Sequence, residues 1–168
     1  MNVDFYEKIW MWASVGIIAV FVVSIGATTF SQVAIPPSRM ETIDPESVRT
    51  DAEFGQPGVT INPDGSATVV VQAFIYAFLP NEIRVPRGRP VTFRLTSPDL
   101  IHGFQIVQTN ANTMVVPGYV SQFTTTFDRA GEYLIVCNEY CGLGHHNMFG
   151  KLIVEEDLTR GASAGGGR

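Results

Sequence analysis

Two hydrophobic patterns divide the chain. Residues 9–30 form a mainly apolar run of 22 positions without a charge. As a helix this run would extend ~33 Å, enough to cross a hydrocarbon core. Trp10 and Trp12 stand at its start, where amphipathic rings favour a membrane interface. Beyond residue 66 the pattern changes to short strand-like stretches broken by turns. Residues 67–74 are rich in Val, and 91–96 alternate apolar and polar side chains. Residues 104–107, 123–127, 133–137 and 151–154 continue the series. Turn formers separate them: Pro86-Arg87-Gly88, Ser97-Pro98-Asp99, Pro117-Gly118 and residues 128–131. The pattern predicts one N-terminal transmembrane helix followed by an all-β sandwich.

The organisation follows. Residues 1–35 are an N-terminal segment and membrane anchor, and 36–65 a linker with a loose lead-in. Residues 66–160 are the β-domain, and 161–168, with four glycines, a disordered tail. Pro36-Pro37-Ser38 ends any helical continuation. A cleaved signal peptide is the competing reading of the run. Its length and the lone Lys8 ahead of it argue for an uncleaved anchor. Lys8 precedes the span and Arg39 and Arg49 follow it, so the distribution of positive charge does not set the orientation.

Composition narrows the classes. With 45% apolar and 16% charged residues the chain is too apolar for disorder. Its formal net charge is −5 and it has no basic block, which argues against nucleic-acid binding. Two cysteines are too few for a disulfide scaffold, a zinc ribbon or a common iron–sulfur site.

The chemistry is concentrated between Cys137 and Met148. Twelve residues there hold two thiols, the imidazoles of His145 and His146, and the thioether of Met148. His102, the third histidine, follows the Ser-Pro-Asp turn. Thiolate, imidazole and thioether together select copper over calcium or magnesium. Zinc accepts two Cys and two His but gains nothing from Met148. A mononuclear blue site takes one Cys, whereas here Cys141 follows Cys137 by four. Two thiolates can bridge two copper ions and leave one histidine for each. Met148 can then be a weak ligand on one copper, and a main-chain carbonyl between the cysteines can serve the other. A disulfide would close only a short loop, worth ~2 kcal/mol, and would leave His102, His145 and Met148 unexplained. Taken singly, Met148 reads as core packing and His102 as a satisfied polar residue; the inference rests on the cluster.

The pattern C-x-E-x-C-G-x-x-H-x-x-M, with a histidine 35 residues upstream in a Ser-Pro-Asp-x-x-His loop, resembles subunit II of the haem–copper cytochrome c oxidases. The single anchor resembles the B-type members. The resemblance implies a cupredoxin-like Greek-key β-sandwich carrying a dinuclear CuA centre. It implies that Cys137 and Cys141 bridge the coppers, that His102 and Met148 complete one, and that His145 and the carbonyl of Glu139 complete the other. It makes the Glu139 carboxylate a candidate for a magnesium ion shared with subunit I, and gives His146 no metal role beyond a surface or subunit contact. It also implies an electron-entry patch among Phe74, Tyr76 and Phe78, with cytochrome c or a similar haem protein as donor. The net acidity favours a basic donor. Leu143, Met114 and Phe149, beside the ligands, are expected to keep water away or to be plain core.

The three histidines all fall in the copper region, so haem ligation and oxygen chemistry are expected on a partner, oxidase subunit I. Function then sets the orientation: a single-pass chain in the cell membrane with the copper domain on the outer, periplasm-facing side. Three rival functions remain, one of them a free-standing electron shuttle with no enzyme partner. A Sco-type copper chaperone would need a thioredoxin-like α/β domain with its cysteines opening a helix. A nitric oxide reductase with a CuA subunit would carry the same ligands.

Overall fold

A computed structural model describes residues 4–32 and 40–156. The helix break at 36–38 and the 161–168 tail lie outside the described residues. The chain divides into two compact units, the N-terminal helix and the β-domain.

The helix α1 spans Phe5–Gln32. Its segment Phe5–Phe30 has a mean hydropathy of 2.2 and no buried positions. Glu7 sits in the first turn, at the positive end of the helix dipole. Two threonine hydroxyls near the end of the run are satisfied within the helix. Thr28 donates to the carbonyl of Ser24 at 2.7 Å and Thr29 to that of Ile25 at 2.8 Å. A helix exposed to hydrocarbon needs that arrangement, because lipid offers no hydrogen-bond partner.

The β-domain is a sandwich of two five-stranded sheets. Its strands are β1 (Gly58–Ile61), β2 (Ala67–Phe74), β3 (Ala77–Leu79), β4 (Glu82–Pro86), β5 (Pro90–Thr96), β6 (His102–Ile106), β7 (Asn112–Val115), β8 (Ser121–Thr126), β9 (Gly131–Val136) and β10 (Phe149–Glu155). The first sheet runs β1-β2-β5-β8, with β3 added on β2; the second runs β4-β10-β9-β6-β7. β2 pairs with β5, and β4 with β10, in parallel, while the remaining pairs are antiparallel. Chain crossings between the sheets complete a cupredoxin-like Greek-key sandwich. It has no place for the thioredoxin-like arrangement that the chaperone reading requires.

All six strands expected from the sequence are present. β1, β3, β4 and β7 are additional, and are short enough that their alternation is easily lost among turn residues. Inward rows from both sheets meet in the core. Phe93 of the first sheet stacks on Phe123 with centroids 5.0 Å apart, and meets Phe104 of the second at 5.7 Å. Phe78 meets Phe104 edge-on at 5.4 Å. These rings pin the sheets together beneath the end that carries His102, Cys137 and Met148.

The stretch read as a loose lead-in is folded from residue 40 onward. Val48 and Phe54 are fully buried and form a second small core with Val70. Asp51 caps the turn that delivers Phe54, accepting the N–H groups of Glu53 at 2.9 Å and Phe54 at 2.8 Å. The buried Gln72 side chain donates to the Phe54 carbonyl. Arg94 on β5 pairs with Glu53 at 2.6 Å and Glu41 at 2.7 Å. Side-chain caps and tertiary hydrogen bonds hold this segment, and neither leaves a periodic signal.

Candidate metal centre

Three donors extend the inward-facing rows of adjacent strands. Along β6, His102, Phe104 and Ile106 are all buried and point the same way. Ile135 of β9 is buried, and Cys137, two residues on, continues its row. Met148 stands two residues before Gly150 at the head of the row that continues through Leu152 and Val154. Since β10, β9 and β6 are neighbours, their rows end side by side. The Cys137 N–H donates to the Met148 carbonyl at 3.2 Å, extending the β9–β10 ladder by one pair. The loop between those strands supplies Cys141 and His145. Gly142 makes its sharp turn at φ 125°, a conformation closed to most side chains. His145 then opens a single 3₁₀ turn.

The donor atoms converge. The Sγ atoms of Cys137 and Cys141 are 3.8 Å apart, too far for a disulfide, and both cysteines are free and buried. Cys141 Sγ lies 3.6 Å from His145 Nδ1 and 3.7 Å from Met148 Sδ. Cys137 Sγ lies 3.1 Å from the carbonyl oxygen of Glu139. A ring nitrogen of His102 and both Sγ atoms fall within 4.8 Å of one another. His102 is fully buried, and its Nε2 is 2.9 Å from Asp99 Oδ1. Its Nδ1 is the one buried side-chain nitrogen or oxygen among the described residues with no hydrogen-bond partner. An orphaned imidazole nitrogen beside two sulfurs is costly unless something binds it.

Electrostatics agree with that geometry. Burial, then the neighbouring Cys137 sulfur, pushes the Cys141 thiol up to about 11. Without a cation it stays protonated at neutral pH. Burial also opposes the charge of Asp99. Hydrogen bonds from His102, the Ile75 and Leu100 N–H groups and Ser97 outweigh it and hold the carboxyl below its ordinary range. An open groove of about 390 Å³, lined by Cys137, His145, His146, Met148 and Phe149 among others, gives access to the cluster. Two thiols, imidazole and thioether form a soft donor set that fits copper.

The remaining sequence expectations divide. Glu139 and His146 are exposed at the surface. The aromatic segment does not present three rings together. β2 ends at Phe74, β3 begins at Ala77, and Ile75 and Tyr76 form the hairpin turn between them. That turn breaks the alternation. Phe78 is therefore a core residue, 1% exposed, and is removed from the expected entry patch. Phe74 is half-buried. Tyr76 is partly exposed and lies over the 141–145 loop, against Gly142 and Gly144. Met114, Leu143 and Phe149 are 46%, 89% and 55% exposed, so none of them is plain core. Asp99 reads from the sequence only as a turn residue, and Asn138 is given no role there. An acid three residues before a histidine in a loop is the available sign for Asp99. Asn138 lies against Gly103 and donates to Asn112 Oδ1 at 3.1 Å, fixing the start of the cysteine loop.

Residues 67–156 match the family described as cytochrome c oxidase subunit II, periplasmic domain. A cytochrome c oxidase subunit 2 of Thermus thermophilus is 44% identical over 155 residues, covering 90% of this chain and 92% of that protein.

The chain belongs to the cytochrome c oxidase subunit II family.

A second Thermus thermophilus subunit 2 sequence is 47% identical over 124 residues, covering 73% of this chain and 92% of its own length. A subunit of a haem–copper terminal oxidase dimer solved by cryo-EM superimposes with a TM-score of 0.62 at 31% identity, covering 90% of this chain and all of that one. The periplasmic domain of subunit II from Bradyrhizobium japonicum shares the fold, with a TM-score of 0.52 at 19% identity, covering 57% of this chain and 88% of its own. As a subunit II, the chain is part of a haem–copper oxidoreductase complex and has subunit I as partner. The apolar helix and the periplasmic-domain match support a single-pass membrane protein with its β-domain outside.

Proposed function

We propose that this chain is the electron-entry subunit of the oxidase, taking single electrons from cytochrome c at a dinuclear CuA centre and passing them to the haems of subunit I. The observation that carries the reading is the unpartnered Nδ1 of buried His102 beside two free thiols. Cys137 and Cys141 would hold the two coppers as thiolates, with His102 and Met148 as further ligands to one and His145 and the Glu139 carbonyl to the other. When bound, such a pair spreads one electron over two nuclei and so exchanges it with little movement of its ligands.

The protein's own part is to hold those ligands still. Three sit at the ends of rigid strands, and Tyr76 and Asn138 brace the loop that carries the others. Electrons enter past Tyr76, with Phe74 beside it. The exposed Glu139 carboxylate is available for a magnesium ion at the subunit I contact. Oxygen reduction belongs to subunit I, since all three histidines of this chain are in the copper domain or beside its ligands. The copper domain faces the periplasm and the short N-terminal segment the cytoplasm.

Copper analysis and EPR of the full-length chain test this reading. Two coppers per chain, with hyperfine splitting shared by both nuclei, are expected. One copper with single-nucleus splitting, or none, would overturn it.

A further inference from the structure

We infer that Asp99 is a positioning residue: it holds His102 in one tautomer and ties that ligand to the turn at Ile75 and Tyr76. The inference rests on reading His102 as a copper ligand.

The two oxygens of Asp99 serve different elements. Oδ1 faces His102 Nε2 at 2.9 Å and accepts the Leu100 N–H at 2.6 Å. Oδ2 accepts the Ile75 N–H at 2.8 Å, from a turn 24 residues away in sequence. Ser97 Oγ accepts the Asp99 N–H at 3.2 Å, and its hydroxyl lies 2.7 Å from the Leu100 carbonyl and 3.1 Å from Asp99 Oδ1, closing the loop around the carboxylate.

A carboxylate only accepts, so the imidazole nitrogen facing it must carry the hydrogen. That places the N–H on Nε2 and leaves Nδ1 with a bare lone pair. A metal ligand needs that lone pair, and Nδ1 is the atom found without a partner. The same carboxylate fixes Ile75, whose neighbour Tyr76 lies on Gly142 and Gly144 of the cysteine loop. One side chain thus connects the surface turn, a ligand from β6 and, through Tyr76, the loop that bears Cys141 and His145. Local turn geometry would need only the Ser97 and Leu100 bonds; those to His102 and Ile75 are additional and lead to the metal.

The test uses the full-length chain in detergent, with D99A, D99N and, as a control in the same loop, S97A. D99N matches the shape of Asp99, but its amide offers one acceptor where two are needed. It serves if D99A fails to fold. Without copper, imidazole nitrogen NMR is expected to show the Nε2–H tautomer of His102 in wild type and S97A, and a mixture in D99A and D99N. Hydrogen exchange at the Ile75 amide should accelerate by about tenfold or more in D99A. With copper, D99A should retain the metal about 10–100-fold less tightly. Its reduction potential should rise, because a negative charge that favours the oxidised centre is gone. An unchanged His102 tautomer and unchanged Ile75 exchange in both Asp99 variants would overturn the inference, even if copper were lost. A wild-type chain that takes up no copper while its tautomer still depends on Asp99 would overturn the copper reading and uphold the positioning of His102.

Discussion

The ring of Tyr76 rests on the backbone of Gly144. A β-carbon built there would lie 2.7 Å from both Cγ and Cε2 of the tyrosine. Gly142 is held in the same way, with the tyrosine hydroxyl 2.7 Å from where its β-carbon would be. The aromatic turn and the ligand loop therefore fit each other only because both positions are glycine.

Gly144→Ala is expected to displace the ring or the loop. Overpacking of this kind costs about 1–3 kcal/mol. Thermal unfolding and copper content should both fall. Gly58→Ala, where nothing lies within 4 Å of the new carbon, should stay within about 0.5 kcal/mol of wild type.

Phe78 and Tyr76 should separate stability from electron entry. Phe78 is fully enclosed and meets Phe104 edge-on, so Phe78→Ala should lose about 3–5 kcal/mol in denaturant unfolding. Tyr76→Ala should leave most of the stability and slow the oxidation of reduced cytochrome c by the assembled oxidase. An unchanged rate in Tyr76→Ala, at full copper content, would remove Tyr76 from the entry path.

Met148 is 2% exposed and packs in the main core, so packing and ligation can be told apart there. Met148→Leu conserves volume and should cost less than about 1.5 kcal/mol without copper. It removes the thioether, so the EPR and near-infrared spectra of the copper-loaded chain should change. Spectra identical to wild type would make Met148 a core residue only.

Asp51 should shape the acid limb of stability. The N–H groups of Phe54 and then Glu53 hold its carboxyl below the ordinary value of 3.8. A carboxyl depressed in the folded state contributes stability above its unfolded pKa, and that contribution disappears as pH falls through the folded value. Between neutrality and about pH 3, Asp51→Asn should therefore lose less stability than wild type, while being less stable at neutral pH. Melting temperatures across that range, measured by circular dichroism, test the sign. A wild-type acid limb that Asp51→Asn reproduces in full would show that the cap does not contribute.

Local features could be read from the order of residues alone. An uncharged run of 22 residues is a spanning helix because of its length. Residues 67–74 announce a strand by their run of Val and 91–96 by alternation, and both are properties of neighbouring residues. The soft ligands were legible because Cys137, Cys141, His145 and Met148 lie within one loop. Features that depend on distant partners emerged only on folding. Phe78 and Tyr76 are both aromatic and two residues apart, yet a hairpin turn sends one into the core and the other onto the ligand loop. Val48 and Phe54 gain a core from Val70, across a pairing no periodicity reveals. Asp99 acquires its place only when β6 and the β2–β3 turn are brought to the same end of the sandwich. Side-chain period fixes which residues share a face; only the packing of two sheets fixes what each face meets.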